Sequence, residues 1–334
     1  MAEAYIKAID YYLPDKIIKN EDLVSDFPEW DADKVAQKTG ILERHIVGDN
    51  ETAVDLAYCA ALKLFDHNPG IQKEVDFLIL CTQSVDYKLP TSACILQNRL
   101  NLPTTIGAFD IDLGCSGYVY GLAVAKGLIF AGISKNVLLI TAETYSKYFH
   151  PMDKGNKSIF GDGAAATVIS TEGFAQIGEV SLGTDGKGED NLKVKTGGAR
   201  FPNPLKEESK DENGYILSSD FLYMNGPDIF NFTLDSVPPL IIDCLKKNGL
   251  MKDDIDLFVP HQANKYMLQT LRKVCGIPKD KFYVELSKTG NTVSSTIPIA
   301  LTDIIQKGLI QKGYRVLIAG FGVGYSYGAI VLRF

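Results

Sequence analysis

The sequence predicts a layered α/β fold built twice over. Short apolar runs alternate with helical patterns along the 334 residues, the signature of mainly parallel strands with helices on their faces. The order then repeats. Val75-Asp76-Phe77-Leu78-Ile79-Leu80 is similar to Ile255-Asp256-Leu257-Phe258-Val259-Pro260. Each half continues with a strand, a glycine and a polar residue at a helix mouth, Cys115 in the first and Asn291 in the second. Matched strands follow, Asn136-Val137-Leu138-Leu139-Ile140 and Arg315-Val316-Leu317-Ile318-Ala319. Both halves end on a Gly-rich hairpin signal, Phe160-Gly161-Asp162-Gly163-Ala164 and Gly320-Phe321-Gly322-Val323-Gly324, before a last strand. Repetition on this scale is duplication of a whole unit, not a short solenoid.

Within each half the elements follow from pattern. Runs of Val, Ile, Leu and Phe bounded by turn formers predict buried strands at 75–80, 106–111, 137–141 and 165–169. Their second-half counterparts are 255–259, 282–286, 316–319 and 329–332. Helical periodicity predicts helices at 52–65, 92–100, 117–130, 230–247, 265–274 and 296–306. The halves divide as 1–172, carrying Cys115, and 173–334, carrying His261 and Asn291. A polar excursion rich in Gly, Lys, Glu and Asp lies near 183–220. If the halves pack about a pseudo-twofold axis, Cys115 and Asn291 become equivalent helix starts. His261 then ends the strand equivalent to the one ending at Cys81.

Composition bounds the function. Apolar residues make up 46% of the chain, enough for a sizeable core, and the net charge of −7 argues against a general nucleic-acid binder. The six cysteines are scattered, with no C-x-x-C pair, which disfavours a disulfide framework or a zinc site and suits a reducing cytoplasm. The start of the chain lacks a signal-peptide pattern, and Lys126 interrupts the longest apolar stretch, so no membrane insertion is expected.

Cys115 stands in Asp112-Leu113-Gly114-Cys115-Ser116-Gly117-Tyr118, between an apolar strand and a glycine-punctuated helix that can start at Ser116 or Gly117. A helix N-terminus favours thiolate and makes a cysteine nucleophilic. The small neighbours Gly114, Ser116 and Gly117 let a substrate reach the sulfur. The other five cysteines read as ordinary buried residues. His261 follows Pro260 at the C-terminal end of a strand, where α/β folds place ligands, and reads as starting the helix that carries Gln262 and Asn264. Asn291 offers an uncharged N–H donor, although asparagine also serves as a helix cap. Thiol, imidazole and amide together read as a nucleophile with two polarising partners. The glycines of 320–328 lack a Walker lysine and lead to a strand, so they read as a turn, not a nucleotide loop.

Asp-Leu-Gly-Cys-Ser-Gly, His-Gln-Ala-Asn, Gly-Asn-Thr-Val-Ser-Ser-Thr and the terminal Gly-Phe-Gly-Val-Gly-Tyr-Ser-Tyr-Gly-Ala resemble β-ketoacyl-[acyl-carrier-protein] synthase III, of the thiolase-fold condensing enzymes. Thr39-Gly40-Ile41-Leu42-Glu43-Arg44 and Phe160-Gly161-Asp162-Gly163-Ala164-Ala165 extend the resemblance over nearly the whole chain. It implies a thiolase-like fold of duplicated αβαβα layers and an acyltransferase that starts fatty-acid or related acyl chains. Cys115 would take an acyl group from acyl-CoA. Malonyl-acyl carrier protein would then lose carbon dioxide and attack it, giving a 3-oxoacyl product. His261 and Asn291 would donate hydrogen bonds to the thioester oxygen, and the amides of Cys115 and Val323 would form the oxyanion hole. No metal or redox cofactor is implied; acyl-CoA and malonyl-acyl carrier protein are substrates.

The resemblance also implies outer contacts. Trp30, Lys38 and Lys154 would hold CoA, although lysine stands where relatives often carry arginine and the segment from Trp30 to Gly40 is longer than usual. Gln262, Ala263, Asn264, Lys265, Tyr266 and Arg272 would meet the acyl carrier protein, with Lys265-Tyr266 in place of the usual arginine. Leu89 stands where relatives reach an aromatic across a homodimer into the acyl tunnel. These departures leave room for a condensing enzyme of a dedicated pathway with another primer or acceptor. A non-catalytic partner subunit would not need Cys115, and a redox role would leave His261 and Asn291 unexplained.

Overall fold

The computed structural model describes residues 3–211 and 216–334. Met1 and Ala2 of the start discussed above, and residues 212–215 of the polar excursion, lie outside the described residues.

Among the described residues the main sheet has nine strands: β1 Tyr5–Tyr12, β2 Phe77–Cys81, β3 Gly107–Ile111, β4 Asn136–Glu143, β5 Gly163–Ser170, β6 Ala175–Thr184, β7 Leu257–Pro260, β8 Arg315–Gly322 and β9 Ser326–Arg333. Their order across the sheet is β7-β8-β9-β6-β1-β5-β4-β2-β3. The two arms match outward from the β1–β6 join. One runs β1-β5-β4-β2 and the other β6-β9-β8-β7, and each pairs antiparallel, antiparallel, then parallel. The arms join edge to edge at Tyr5–Gln176 and Ile6–Ala175, with Ile177 N donating to Ala4 O at 2.8 Å beside them.

The apolar runs read from sequence are continuous because both faces of each arm are covered. Among the described residues the helices of eight residues or more are α1 Ala32–Thr39, α2 Ala53–His67, α3 Ser92–Arg99, α4 Gly117–Phe130, α5 Gly226–Lys247, α6 Lys265–Val274 and α7 Thr296–Gln306. Along β4, Leu138 and Ile140 pack outward with α2 and α3, while Val137 and Leu139 pack inward with α4 and α7. On the other arm Ile318 and Ile330 face α4 and α7, while Leu317 and Val331 face α5 and α6. The result is five layers, helix-sheet-helix-sheet-helix, with α4 and α7 sandwiched between the arms. Among the described residues no helix is long and apolar enough to cross a membrane.

Three sequence expectations change. β1 and β6 carry no continuous apolar run: in β1 every second side chain is buried from Ile6 to Asp10, and Lys7 and Asp10 dilute the signal. β6 contains Gly178, where a Cβ would fall 2.4 Å from Asn248 Oδ1, and its last two residues lie inside the stretch read as excursion. The 282–286 run forms no strand, only a parallel bridge between Phe258 and Phe282. The Gln262 side chain supplies the missing ladder bonds. Its Nε2 donates to Tyr283 O at 3.3 Å and its Oε1 accepts from Glu285 N at 2.9 Å.

Candidate active site

Cys115 lies between the end of β3 and the start of α4, 6% exposed. Absent side chains make the space around it. A Cβ on Gly322 would stand 2.8 Å from Cys115 Cβ and 3.0 Å from its Sγ. One on Gly320 would stand 2.8 Å from Cys115 O, and one on Gly117 2.3 Å from Cys81 Sγ. The glycines therefore let the end of β8 lie directly on the backbone of Cys115, bringing Val323 beside Gly114.

His261 follows β7, its N–H donating to Ala319 O at 2.7 Å. The ring's Nδ1 lies 2.7 Å from Thr296 Oγ1, at the start of α7. The Thr296 hydroxyl donates to Val293 O at 3.2 Å, so it accepts from Nδ1–H and leaves Nε2 with its lone pair. His261 does not open a helix as its sequence setting suggested. Residues 261–264 form a loop, and Asn264 caps α6 by accepting from Met267 N at 2.9 Å.

Asn291 is held on both sides. Its N–H donates to Ile159 O at 2.9 Å and its carbonyl accepts from Gly161 N at 3.0 Å. Gly290 makes this approach possible, with φ of 65° and room for no Cβ, which would fall 2.9 Å from Ile159 O. Asn291 Oδ1 accepts from Val293 N at 2.9 Å, which leaves Nδ2 as the donor end of the amide. Val293 takes φ of 55° to make that bond, a strained conformation for a β-branched residue.

Cys115, His261 and Asn291 line one cavity of about 490 Å³, and most of its wall is apolar, including Phe160, Leu192, Met224 and Phe230. Burial pushes the Cys115 thiol up to about 12, with Glu143 adding to the effect. Burial holds His261 down at about 3. The thiolate expected from the helix N-terminus is therefore not the resting state. Removal from water outweighs the helix dipole, and the free site rests as thiol beside neutral imidazole.

The outer residues divide. Lys38 lines the cavity. Lys154 pairs with Glu29 at 2.7 Å, with its Nζ 5.9 Å from the Trp30 ring centroid. The Trp30–Gly40 segment owes its length to α1, which Asp31 caps by accepting from Lys34 N at 3.0 Å. Two expected carrier contacts are corrected. Gln262 is buried with its amide committed to Pro260, Tyr283 and Glu285, and Ala263 is buried too. Tyr266 is exposed and stacks on Phe230. Lys265 and Arg272 line a separate groove of about 640 Å³ with Lys273 and Lys279. Leu89 is 86% exposed and outside the cavity of its own chain.

Sequence reasoning passed over Glu143, Thr296 and the packing role of Arg44. Arg44 is fully buried and donates to Ser158 O at 2.8 Å and Asn20 Oδ1 at 2.9 Å, fixing the backbone beside Gly161 and Gly290. For Glu143 the signal was present: a carboxylate closing an otherwise apolar strand.

Comparisons with known proteins agree along the chain. The family model described as 3-oxoacyl-[acyl-carrier-protein (ACP)] synthase III matches residues 109–186, and the C-terminal model of the same description matches 245–334. A β-ketoacyl-[acyl-carrier-protein] synthase III of Fusobacterium nucleatum subsp. nucleatum is 36% identical over 333 residues, covering 98% of each chain. The protein of that name from Clostridioides difficile is 36% identical over 334 residues, covering 99% of this chain and 98% of its own. A crystal structure of a 3-oxoacyl-(acyl-carrier-protein) synthase III superposes with a TM-score of 0.97 at 47% identity, covering 99% of this chain and 100% of that one. The Thermus thermophilus synthase III gives a TM-score of 0.86 at 31% identity, with 99% of both chains covered.

Proposed function

This chain belongs to the 3-oxoacyl-[acyl-carrier-protein] synthase III family of condensing acyltransferases, and on that footing we propose that Cys115 is its acyl-carrying nucleophile. The observation that carries this is the shared cavity, in which a buried thiol, a neutral imidazole and a pinned carboxamide meet. The Cys115 sulfur attacks an acyl-CoA carbonyl as His261 Nε2 takes the thiol proton. The carbon–sulfur bond to CoA breaks, and the CoA thiolate leaves with that proton. Malonyl-acyl carrier protein then loses carbon dioxide. The electron pair left on carbon attacks the acyl-Cys115 carbonyl, forming the carbon–carbon bond of a 3-oxoacyl product as the acyl carbon–sulfur bond breaks, and the Cys115 thiolate released takes a proton from water to restore the thiol.

The backbone N–H groups of Cys115 and Val323 supply the oxyanion hole. Asn291 Nδ2 steadies the thioester oxygen during decarboxylation, joined by His261 in its Nε2–H tautomer, for which the Thr296 hydroxyl turns to donate to Nδ1. Lys38, Lys154 and Trp30 receive CoA at the mouth. Lys265, Tyr266 and Arg272, with Asn264 at their base, meet the carrier protein. Every step draws on these groups, and the proposal includes no metal or redox cofactor.

The chain acts as a homodimer in the cytoplasm, starting fatty-acid chains. β3 supports the dimer as an edge strand of the main sheet, as does the adjoining exposed Val85, Tyr87 and Leu89. Such a partner would bring Leu89 toward the acyl end of the other chain's cavity. The six free cysteines suit a reducing compartment. Residues 1–172 and 173–334 serve as the two functional halves. A dedicated pathway is not favoured, since the relatives above carry the synthase III name.

Intact-mass measurement after incubation with a panel of acyl-CoAs tests the nucleophile. One acyl adduct is expected, absent in Cys115→Ala and discharged by malonyl-acyl carrier protein. An adduct that survives Cys115→Ala would overturn the assignment, and an adduct that never condenses would mark a simple acyltransferase.

A further inference from the structure

Glu143 closes β4 as a fully buried carboxyl. Among the described residues its hydrogen-bond partners are all neutral donors. Gln83 N–H approaches its two oxygens at 3.1 and 3.3 Å, and Ser84 Oγ donates at 2.9 Å. Ser294 Oγ, from the other half of the chain, donates at 3.0 Å. Two of these partners, Gln83 and Ser294, lead to the reacting groups. The Gln83 side chain spans to Asp112 and Tyr145, and its Oε1 lies 2.7 Å from where a Gly114 Cβ would stand, one residue before Cys115. Ser294 sits in the turn between Asn291 and Thr296, the residue that fixes His261.

We propose that Glu143 is a positioning residue for the condensing reaction, a buried carboxyl that clasps the Cys115 loop to the Asn291–Thr296 turn and whose charge restrains loss of the Cys115 proton. The inference rests on the reading of Cys115 as nucleophile. The geometry supplies the clasp: one carboxyl holds donors from both halves, and breaking it frees both sides together. Chemistry supplies the restraint. A carboxylate with no cation against it disfavours a second anion nearby. Burial pushes Glu143 up to about 8, with Asp112 raising it further and its three donors opposing. The other titratable groups that feel its charge are Cys81, Cys115, Tyr145 and Tyr148, all buried or nearly so, and all raised. Below pH 8 Glu143 is a neutral acid and Cys115 loses its proton more readily. Above pH 8 the carboxylate opposes that loss.

The test is the pH dependence of Cys115 alkylation by iodoacetamide, followed at the Cys115 peptide by mass spectrometry from pH 6 to 10. In the parent, the logarithm of the rate rises with pH, sags near pH 8 as Glu143 ionises, and rises again. In Glu143→Gln the sag vanishes, so the variant matches the parent below pH 7 and reacts about tenfold faster above pH 9, one pK unit of restraint. Ser294→Ala keeps the carboxyl but removes one donor to its anion, so the sag moves to higher pH. A Glu143→Gln profile parallel to the parent, with both proteins folded by thermal melting, overturns the inference. So does a Ser294→Ala profile that keeps its sag at pH 8. Alkylation needs no acyl-CoA, so failure of the condensing reading, seen as absence of the acyl adduct, is distinguishable from failure of this one.

Discussion

At the residue scale, the site works from a neutral resting pair. Burial holds His261 at about 3 and Cys115 at about 12, so between pH 5 and 7 the base is already unprotonated and the thiol intact. The acylation rate should therefore be flat across that range. Attack by a thiolate formed only by loss of the proton to water would give a tenfold rise per pH unit, and an ordinary histidine an inflection near pH 6.5; stopped-flow acylation measures which occurs. Thr296→Val removes the acceptor at Nδ1 and frees the ring to take the wrong tautomer. We expect kcat to drop by about tenfold to a hundredfold, with little change in KM for acyl-CoA. Gly322→Ala puts a methyl group 3.0 Å from Cys115 Sγ. The side chain and β8 are both packed, so relief has to come from the nucleophile's own position. Acylation should fall by about a hundredfold, and the 2.8 Å approach to Cys115 Cβ should lower the melting temperature as well.

At the element scale, the basic face of α6 is the proposed handle for the carrier protein, and the structure decides how to test it. Arg272 NH1 donates to Ile277 O at 2.9 Å, so replacing it loosens the helix as well as the surface charge. Lys265 and Lys273 are exposed on the same groove. Lys265→Glu with Lys273→Glu should raise KM for malonyl-acyl carrier protein by about tenfold or more and leave KM for acyl-CoA within about twofold. Equal effects on both substrates would count against docking there. The bounds of α4, α6 and α7 were legible in the sequence because the periodic face and the preceding small or capping residues coincide at each start. Cys115 was legible for the same reason, as the one cysteine set between a strand and a glycine-flanked helix. β1 and β6 were not, because one is an alternating strand interrupted by charge and the other is broken by Gly178, which Asn248 crowds. The 282–286 run misled because a side chain, Gln262, stands in for a neighbouring strand, and no periodicity records that. Nor could spacing reveal that burial, and not the helix end, sets the protonation of the pair.

At the scale of the whole molecule, the same burial that organises the site makes folding sensitive to pH, and three groups divide the range between them. His261 folds at about 3 against an ordinary 6.5. Its folded state binds the proton more weakly, so its contribution is present above pH 6.5 and is lost as pH falls toward 3. Asp162 accepts from Val47 N and Ser146 N, at 2.9 and 3.0 Å, where the first half folds over the site. It lies at about 6 against 3.8, and burial is the main cause. Glu143 lies at about 8 against 4.5. For both acids the folded state holds the proton more tightly, so their contributions are full below the ordinary values and are lost as pH rises through 6 and 8. Of these three groups Glu143 changes most between pH 6.5 and 8, with His261 opposing it below about pH 7.5 as its unfolded form loses its proton. Its contribution to unfolding free energy should fall there by up to about 1.4 kcal/mol per pH unit, flattening as pH 8 is passed. Urea unfolding at half-unit steps should show that decline in the parent protein. Glu143→Gln keeps the size of the side chain and cannot ionise, so its curve should show no decline over the same window even if its absolute stability differs. A parallel decline in the variant would mean that another group carries the pH dependence, and that the carboxyl at the joint between the halves is not held protonated at neutral pH.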